Sequence, residues 1–456
     1  MKILFVRPRP SPQTIGLQHV MTVEPLELEV LAALVEAGDT PAIVDMILEV
    51  EQFEYFLTSE LPDVLCVTGY ITHVGIMKEY CRLAKRFNPR IRTIVGGVHC
   101  EVCPGDLDDE AIDYRVVRNA TTAFPRLLSF LHGREQVPPG VLGKGQRIHE
   151  AELPPFDFTF PIPKRSLTRS YRDRYFYIFH DRVALLKTSF GCPYRCNFCF
   201  CRAITRDRYC ERPIEKVMDE LESIREQEIY IVDDDFLVSK SRLEQFAGEH
   251  IRRKLDKKYL VYGRADFIAR NPEMMKTLRD IGLRTVIVGF ESFFDGELTG
   301  YGKEIDGQIN REAMNVLNSS GIDCCATIII PPHWTKSEFS ECTRALKSLG
   351  IHYVNAQPLT PLPGTGFGVP DSDLVIERGD FPKWDLAHVS IRPEHESVPE
   401  YYRSILKLYN DVLFQPHHLW NHLRRYRADQ LWKMASGTWR VRKQYLQRIR
   451  ESANHA

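Results

Sequence analysis

Residues 190–199 read FGCPYRCNFC and place three cysteines, Cys192, Cys196 and Cys199, four and three positions apart. The run directly follows an apolar, β-rich segment, so it forms the loop after a predicted strand. Thiolates are the ligands that iron–sulfur clusters require, and this spacing lets one tight loop present three sulfurs to one cubane. Three cysteines leave the fourth iron open, and an open position is typical of a catalytic metal site.

The motif C-x3-C-x2-C, with the aromatic Phe198 before its last cysteine, resembles the signature of the radical S-adenosylmethionine superfamily. The resemblance implies a [4Fe-4S] cluster whose free iron chelates the amino and carboxylate groups of S-adenosylmethionine. One electron, from a donor such as flavodoxin or ferredoxin, then yields methionine and a 5′-deoxyadenosyl radical. An alternative interpretation is a zinc site that combines the same three cysteines with Cys201 or Cys210.

Strands and helices alternate six times around and beyond this motif, which predicts a partial (β/α)6 barrel over residues 183–370. The strands are predicted at Val183–Ser189, Glu228–Asp233, Tyr259–Arg264, Thr285–Glu291, Asp323–Ile330 and Tyr353–Pro358. The helices are predicted at Ile214–Glu226, Ser239–Lys254, Pro272–Ile281, Gln308–Ser319 and Lys336–Leu349. In such barrels the chemistry gathers at the C-terminal ends of the strands, where the cysteine motif also lies.

Charged side chains stand at the ends of the second, third and fourth predicted strands. The resemblance implies that Asp234 and Asp235, after the second strand, bind the amine of S-adenosylmethionine. Arg264 ends the third strand, and a guanidinium fork can hold the methionine carboxylate through two hydrogen bonds. Glu291 ends the fourth strand, where the family's acidic residue bonds the ribose hydroxyls. The backbone of Phe198 is expected to meet the adenine edge.

The first 133 residues show a separate alternation of short strands and helices. Strands are predicted at Ile3–Val6, Ala42–Asp45, Asp63–Thr68, Arg92–Val95 and Tyr114–Val117, with helices such as Leu26–Glu36 and Ile76–Phe87 between them. This pattern predicts a doubly wound, Rossmann-like domain over residues 1–133. Residues 134–182 are rich in proline and glycine without periodicity, which predicts a linker.

A Rossmann-like domain ahead of a radical barrel resembles the cobalamin-binding subclass of the superfamily. The matching stretches are PDVLCVT at residues 62–68 and TIVGGVH at residues 93–99. The resemblance implies that hydroxyls after the third strand, those of Thr68 and Thr72, bond the cobalamin. Gly96 and Gly97 let the backbone approach the ligand at the sheet edge where doubly wound folds bind cofactors.

The sequence lacks the D-x-H-x-x-G motif, so no histidine is set to replace the lower base of cobalt. Cobalamin is then expected to bind with its base displaced, with Thr72 facing the lower side of the cobalt and His73 as the less favoured candidate. An alternative for the glycine loop is a Cys-x-x-Cys zinc or redox site formed by Cys100 and Cys103.

The composition of the chain indicates which classes of protein, partner and cellular location to expect. The chain is 43% hydrophobic and 27% charged with a net charge of −1, which is typical of a soluble globular protein and predicts no nucleic-acid partner. Five of the 12 cysteines fall within residues 192–210, which favours metal ligation over disulfides. Two early prolines interrupt the N-terminal apolar run, and no apolar run approaches 18 residues, so we expect a cytoplasmic protein.

Residues 371–456 predict a helical C-terminal region. Its residues 421–450 carry nine Lys or Arg against the single acid Asp429, with Trp432 and Trp439 interleaved. Such a tail could contact a membrane surface or an anionic substrate. Because tryptophan also anchors helices in a core, we expect the tail to pack its aromatic residues on the barrel and to leave its charges in water.

The resemblance predicts a radical enzyme that uses cobalamin to methylate an unactivated carbon of a small molecule in natural-product or lipid biosynthesis. One alternative is a non-methylating radical reaction, with or without cobalamin, such as a cyclisation, a rearrangement or an unusual cleavage of S-adenosylmethionine. The other alternative is an iron–sulfur or zinc module without catalysis.

Overall fold

The computed structural model describes residues 1–148, 153–303, 305–415 and 423–454. The chain divides into two compact units. The N-terminal unit comprises residues 1–14, 24–175 and 378–385, and the C-terminal unit comprises residues 15–23, 176–377 and 386–456. The stretch 134–182 is thus shared between the two units, with the division after Tyr175.

The N-terminal unit is built on a six-stranded sheet. Its strands are β1 (Lys2–Arg7), β2 (Thr40–Asp45), β3 (Val64–Thr68), β4 (Arg92–Gly96), β5 (Tyr114–Val116) and β6 (Val141–Gly143). The strand order is β2-β1-β3-β4-β5-β6, with parallel pairing except between β5 and the edge strand β6. This order confirms the predicted doubly wound domain and places its switch point between β1 and β3.

Helices cover both faces of this sheet. They are α1 (Leu26–Ala33), α2 (Phe53–Glu60), α3 (Val74–Phe87), α4 (Val98–Val102) and α5 (Ala120–Leu131). Successive strand residues point to opposite faces, so Ile3 and Phe5 of β1 pack in one hydrophobic cluster and Leu4 and Val6 in another. The 3-10 turns of the unit are Ile71–His73, Pro104–Leu107, Arg165–Arg174 and Phe381–Lys383.

The C-terminal unit contains the second six-stranded sheet. Its strands are β7 (Ala184–Leu186), β8 (Glu228–Ile231), β9 (Lys258–Arg264), β10 (Leu283–Glu291), β11 (Asp323–Ile330) and β12 (Tyr353–Pro358). They pair in parallel in sequence order from β7 to β12, which confirms the predicted six-stranded barrel sheet. The charged strand ends therefore lie along one edge of this sheet.

Ten helices accompany these strands in the described ranges. They are α6 (Cys201–Thr205), α7 (Ile214–Ser223), α8 (Lys240–Arg252), α9 (Ala265–Arg270), α10 (Pro272–Asp280), α11 (Asp295–Gly300), α12 (Gly307–Ser320), α13 (Lys336–Ser348), α14 (Val398–Leu413) and α15 (Ala428–Asn454). Short strands and 3-10 turns complete the unit: Leu17–His19, Met21–Thr22, Phe176–Tyr177, His180–Asp181, Ser189–Phe190, Cys210–Glu211 and Asp371–Asp373. None of the helices in the described ranges is long and apolar enough to cross a membrane.

The C-terminal region is helical in α14 and α15, but its tryptophans are placed differently from our expectation. Trp432 and Trp439 on α15 are 68% and 61% exposed, so the prediction that the tail packs these aromatic residues on the barrel is wrong. The opposite face of α15 packs instead, because Tyr445 and Ile449 join the hydrophobic core of the unit. Trp420 lies outside the described residues.

Candidate active site

The cysteine loop runs from the short strand Ser189–Phe190 to α6. Gly191 begins it with a φ of +76°, and a Cβ there would lie 1.9 Å from the Arg208 carbonyl oxygen, so only glycine fits. The Asn197 amide donates to the Tyr301 carbonyl at 2.9 Å, and the Gly366 amide donates to the Asn197 carbonyl at 2.7 Å. Backbone bonds from the end of α11 and from the turn after β12 therefore fix the loop on two sides.

The three cysteines of the motif are all partly exposed in this loop. Burial raises the pKa of Cys192 to about 12 and also raises the pKa of Cys196, whereas a hydrogen bond from the Cys201 thiol lowers the pKa of Cys199. Among the described residues, no three His, Cys, Asp or Glu side chains are grouped to hold a single metal ion. Three cysteines presented by one loop fit an iron–sulfur cluster, whose positively charged iron favours the thiolate form of each ligand.

Two aspartates after β8 fasten the loop to the sheet. Asp233 accepts hydrogen bonds from the Thr188 amide at 2.6 Å, the Ser189 amide at 3.0 Å and the Ser189 hydroxyl at 2.8 Å. Asp234 accepts from the Gly191 amide at 2.9 Å and from the Cys201 thiol at 3.3 Å. These bonds also explain why the predicted strand Val183–Ser189 is interrupted after Leu186. Asp233 was not among our candidate residues, although it stands in the same run of three aspartates.

Asp235 has a different environment from its two neighbours. Its side chain is buried, and its Oδ1 accepts from the Leu237 amide at 2.9 Å. Its Oδ2 is buried without a hydrogen-bond partner among the described residues, and burial raises the pKa of the carboxyl to about 7. An unpaired buried carboxylate oxygen is costly, and a cation that bonds to it removes that cost. The residue therefore fits the ammonium group of S-adenosylmethionine.

Arg264 lies beside the cysteine loop, and two nitrogens of its guanidinium group are already hydrogen-bonded to a carboxylate. Its Nε donates to Asp266 Oδ1 at 2.9 Å and its Nη2 donates to Asp266 Oδ2 at 3.4 Å. The remaining Nη1 lies 3.8 Å from Cys196 Sγ, and the guanidinium carbon is 3.8 Å from the centroid of the Tyr194 ring. We expected Arg264 to give two hydrogen bonds to the methionine carboxylate, but in this structure both go to Asp266. The remaining nitrogen, Nη1, faces Cys196.

Glu291 ends β10 in a strained conformation. Its φ is +64°, which is rare for a residue other than glycine, and the register with β11 shifts between Gly289 and Glu291. Lys303, which is 3% exposed, places its Nζ 3.2 Å from Glu291 Oε1 and also donates to the Gly289 carbonyl. A lysine after a short helix gives no signal of burial in the sequence, so sequence reasoning missed Lys303.

Phe198 packs against the aromatic residue that closes α11. Its ring is 5.7 Å from the Tyr301 ring in an edge-to-face arrangement. The hydroxyl of Tyr301 is buried without a hydrogen-bond partner among the described residues. The structure thus brings Cys192, Cys196, Cys199, Phe198, Asp235, Arg264 and Glu291 to the same edge of the barrel sheet.

In the N-terminal unit, the expected cobalamin residues lie at the carboxyl ends of β3 and β4. Gly97 has a φ of +96°, and a Cβ there would lie 2.7 Å from Thr68 Oγ1. A Cβ on Gly96 would meet nothing closer than 3.8 Å, where it would lie in ordinary contact with Val116. Thr72 is buried with its hydroxyl 3.2 Å from His73 Nδ1, and burial lowers the pKa of His73 to about 4. This edge, beside the switch point, fits a bound cofactor.

The two cysteines that follow Gly97, Cys100 and Cys103, differ in burial. Cys100 is buried, and its thiol lies 3.7 Å from the Val95 carbonyl in the core of the unit. Cys103 is only partly buried, and burial raises the pKa of its thiol to about 11. Both are free thiols, so the expected alternative of a Cys-x-x-Cys site is not formed as a disulfide here.

Residues 13–128 match the B12 binding domain model, and residues 186–346 match the Radical SAM superfamily model. The hopanoid C-3 methylase of Methylococcus capsulatus is 30% identical over 437 residues, which cover 92% of this chain and 81% of that protein. This chain belongs to the cobalamin-binding radical S-adenosylmethionine enzymes.

Two further relatives of this cobalamin-binding radical enzyme are informative. The anaerobic magnesium-protoporphyrin IX monomethyl ester cyclase of Rubrivivax gelatinosus is 25% identical, covering 86% of this chain and 74% of that protein. The structure of the radical S-adenosylmethionine methyltransferase TsrM from Kitasatospora setae, with cobalamin and a [4Fe-4S] cluster bound, is similar with a TM-score of 0.68. That similarity covers 99% of each chain at 16% sequence identity and shows a shared fold.

The matches support an enzyme rather than the non-catalytic iron–sulfur or zinc module that the cysteine motif alone leaves open. Its cofactors are a [4Fe-4S] cluster, S-adenosylmethionine and cobalamin, as both matched domains indicate. These cofactors fit a fixed three-cysteine loop, a buried carboxylate with an unused oxygen, and two glycines at the carboxyl edge of the N-terminal sheet.

Proposed function

We propose that this enzyme methylates an unactivated carbon of a small molecule in natural-product or lipid biosynthesis. The observation that carries the proposal is the similarity, across both units, to a protein named as a methylase of a hopanoid carbon. When bound, the reduced cluster cleaves S-adenosylmethionine to a carbon-centred radical, and cobalamin carries the methyl group. The protein contributes the placement of these groups and the exclusion of water.

In this proposal residues 183–370 hold the cluster and S-adenosylmethionine. Cys192, Cys196 and Cys199 bind the iron, while Asp233 and Asp234 keep their loop in place through the hydrogen bonds to residues 188–191 and Cys201. Since Asp234 is occupied with the loop, Asp235 is the carboxylate that pairs with the methionine ammonium. The sequence assigned ammonium binding to Asp234 and Asp235 together, whereas in this proposal Asp235 alone has that role and Asp234 holds the cysteine loop.

The remaining groups around S-adenosylmethionine follow from their contacts. Lys303 fixes Oε1 of Glu291, which leaves the other carboxylate oxygen to accept from the ribose hydroxyls. Arg264 offers one free edge beside Cys196, where a methionine carboxylate on the open iron would need a positive partner. Phe198 supplies backbone groups to the adenine.

Residues 1–133 hold the cobalamin in this proposal. Thr68 and Thr72 bond the cofactor, and Gly96 and Gly97 let it approach the sheet edge. Because the D-x-H-x-x-G motif is lacking, no histidine of such a motif would bind the cobalt, and Thr72 would contact the bound cofactor there. The low pKa of His73 keeps its ring neutral near pH 7 in the absence of the cofactor.

A second candidate function is a radical cyclisation or rearrangement without methyl transfer. It is favoured by the similarity to a protein named as a cyclase, which spans 86% of this chain. Both functions need one electron for each cleavage, and we propose a flavodoxin or ferredoxin as the donor.

One labelling experiment distinguishes the two functions. Cells that produce the enzyme are fed methionine with a trideuterated methyl group, and their extracts are compared with those of cells producing Cys196→Ala. A compound that gains one trideuterated methyl group only with the active enzyme supports the methylase. A new compound without the label, formed only with the active enzyme, supports the second candidate and contradicts the first.

A further inference from the structure

The outer face of α15 carries an exposed apolar stripe. Trp432, Trp439 and Leu446 recur every seven residues and are 68%, 61% and 40% exposed. Seven residues span almost two helical turns, so the three side chains share one face of the helix. Three large apolar side chains aligned on one exposed helix face are unusual on a surface that faces only water.

The opposite face of α15 fixes the rotation of the helix. Tyr445 and Ile449 are buried in the core of the C-terminal unit, and Gln444 accepts a hydrogen bond from the Gly16 amide at 3.2 Å. Gly437 lies so close to residue 19 that a Cβ there would be 2.1 Å from the His19 carbonyl oxygen. These contacts keep the tryptophans on the outside, because turning them inward would break the packing of this face.

Basic side chains flank the stripe. Exposed cations without an ion-pair partner among the described residues are Arg440, Arg442, Lys443 and Arg450. Lys443 Nζ lies 5.6 Å from the centroid of the Trp439 ring, so charge and aromatic surface are contiguous. The other two cations of α15 are engaged: Lys433 bonds Asp181 and Arg448 bonds Glu451. The exposed face therefore combines apolar surface with unneutralised positive charge.

We propose that this face of α15 docks the enzyme on an anionic phospholipid surface. Tryptophan and arginine on one face of a helix are the composition of helices that lie in the plane of the membrane interface. The charge of the face is complementary to anionic headgroups. Self-association through the same face would bring its four cations against four others, which like-charge repulsion opposes. This proposal does not depend on the reaction that the enzyme catalyses.

Vesicle co-sedimentation of the full-length holoenzyme tests the charge contribution. The vesicles are phosphatidylcholine alone or phosphatidylcholine with phosphatidylserine, at low and high salt. We expect binding to the anionic vesicles that falls as salt screens the charges. The double variant Arg440→Gln/Lys443→Gln should bind about 30-fold more weakly, which corresponds to roughly 1 kcal/mol for each charge.

A matched control exists on α13. Arg344 and Lys347 are also exposed, are also three positions apart, and their change to Gln alters the net charge equally. The variant Arg344→Gln/Lys347→Gln should bind anionic vesicles like the wild type. Equal loss in both double variants would show a general charge effect and would overturn the proposal, as would the absence of vesicle binding by the wild type.

Tryptophan fluorescence tests insertion of the apolar stripe. Brominated phospholipid should quench the emission of a Trp420→Phe protein. The quenching should be absent when Trp432→Phe/Trp439→Phe are added, since the two tryptophans that then remain, Trp334 and Trp384, are buried. The variant Trp432→Ala/Trp439→Ala should bind vesicles at least tenfold more weakly while keeping the circular dichroism and S-adenosylmethionine cleavage of the wild type. Quenching that persists in the Phe variant would overturn the proposal. A dimer that these Ala changes abolish, without vesicle binding, would assign the face to a second copy.

Discussion

Asp234 and Asp235 are adjacent at the end of β8, yet only Asp235 keeps a buried carboxylate oxygen without a partner in the described ranges. Both carboxylate oxygens of Asp234 accept hydrogen bonds from the cysteine loop and its flank, one from the Gly191 amide and one from the Cys201 thiol. The pair therefore separates two tasks, fixing the cluster loop and receiving a cation, that the sequence places on one motif.

Exchanging each carboxylate for an amide tests this separation. Asp235→Asn should leave the iron and sulfide content unchanged and weaken S-adenosylmethionine binding by about 10- to 150-fold, the usual cost of a lost charged hydrogen bond. Asp234→Asn should instead lower the iron content, because it removes an acceptor of the loop. Calorimetric titration and iron analysis give the two readouts. Equal S-adenosylmethionine affinity in Asp235→Asn and wild type would contradict the assignment of the ammonium partner.

The raised pKa of Asp235 predicts a pH-dependent stability. Burial raises this pKa from 3.8 to about 7, so the folded protein binds the proton more tightly than the unfolded chain. The contribution of Asp235 to the free energy of unfolding is therefore highest below about pH 4 and is lost as the pH rises to about 7. In thermal unfolding without S-adenosylmethionine, Asp235→Asn should gain more stability over the wild type at pH 8 than at pH 5, and least at pH 4. A constant difference across this range would contradict the prediction.

The ion pair of Glu291 and Lys303 predicts a non-additive pair of variants. Glu291→Ala leaves the buried ammonium of Lys303 without its carboxylate, which costs about 3–5 kcal/mol in unfolding free energy. The double variant Glu291→Gln/Lys303→Met removes the unpaired charge and should recover most of the stability. Its S-adenosylmethionine affinity should stay below that of the wild type, because the ribose loses a carboxylate acceptor. Denaturant unfolding and calorimetry measure both quantities, and full recovery of affinity would remove Glu291 from the site.

Alanine variants of two neighbouring glycines distinguish an effect on folding from an effect on cobalamin binding. Gly97→Ala places a Cβ 2.7 Å from Thr68 Oγ1 at a φ of +96°, so it should destabilise the N-terminal unit itself. Gly96→Ala meets no atom closer than 3.8 Å and should fold normally. If cobalamin approaches this edge, Gly96→Ala should bind it more weakly in absorbance titrations while keeping the wild-type unfolding temperature. Wild-type cobalamin affinity in Gly96→Ala would place the cofactor elsewhere.

The sequence predicted both sheets because period-two apolar runs alternate with helical patterns and glycine turns throughout the chain. It also predicted the site edge, since polar residues directly follow buried strands at residues 233–235, 264 and 291. The sequence did not predict which groups these residues contact. Whether Arg264 meets a ligand or Asp266 depends on side-chain geometry two residues away, and the burial of Lys303 depends on the packing of α11.

The sequence also did not predict which side chains of α15 are exposed. Aromatic residues at seven-residue spacing suit a core or a surface equally, and the outcome depended on which face carries Gly437. That glycine allows the helix to approach the backbone of His19, and its position turns the tryptophans outward. A sequence pattern gives the stripe but not the direction in which it points.

The central claim, that three cysteines of one loop hold the cluster that cleaves S-adenosylmethionine, is tested most directly by one assay. Anaerobically reconstituted enzyme with a reductant is analysed for methionine and 5′-deoxyadenosine, for the wild type and for single alanine variants. We predict that Cys192→Ala, Cys196→Ala and Cys199→Ala lose both products, whereas Cys210→Ala keeps them and Cys201→Ala, which removes only a contact to Asp234 and Cys199, also keeps them. Wild-type cleavage by Cys196→Ala would contradict the account.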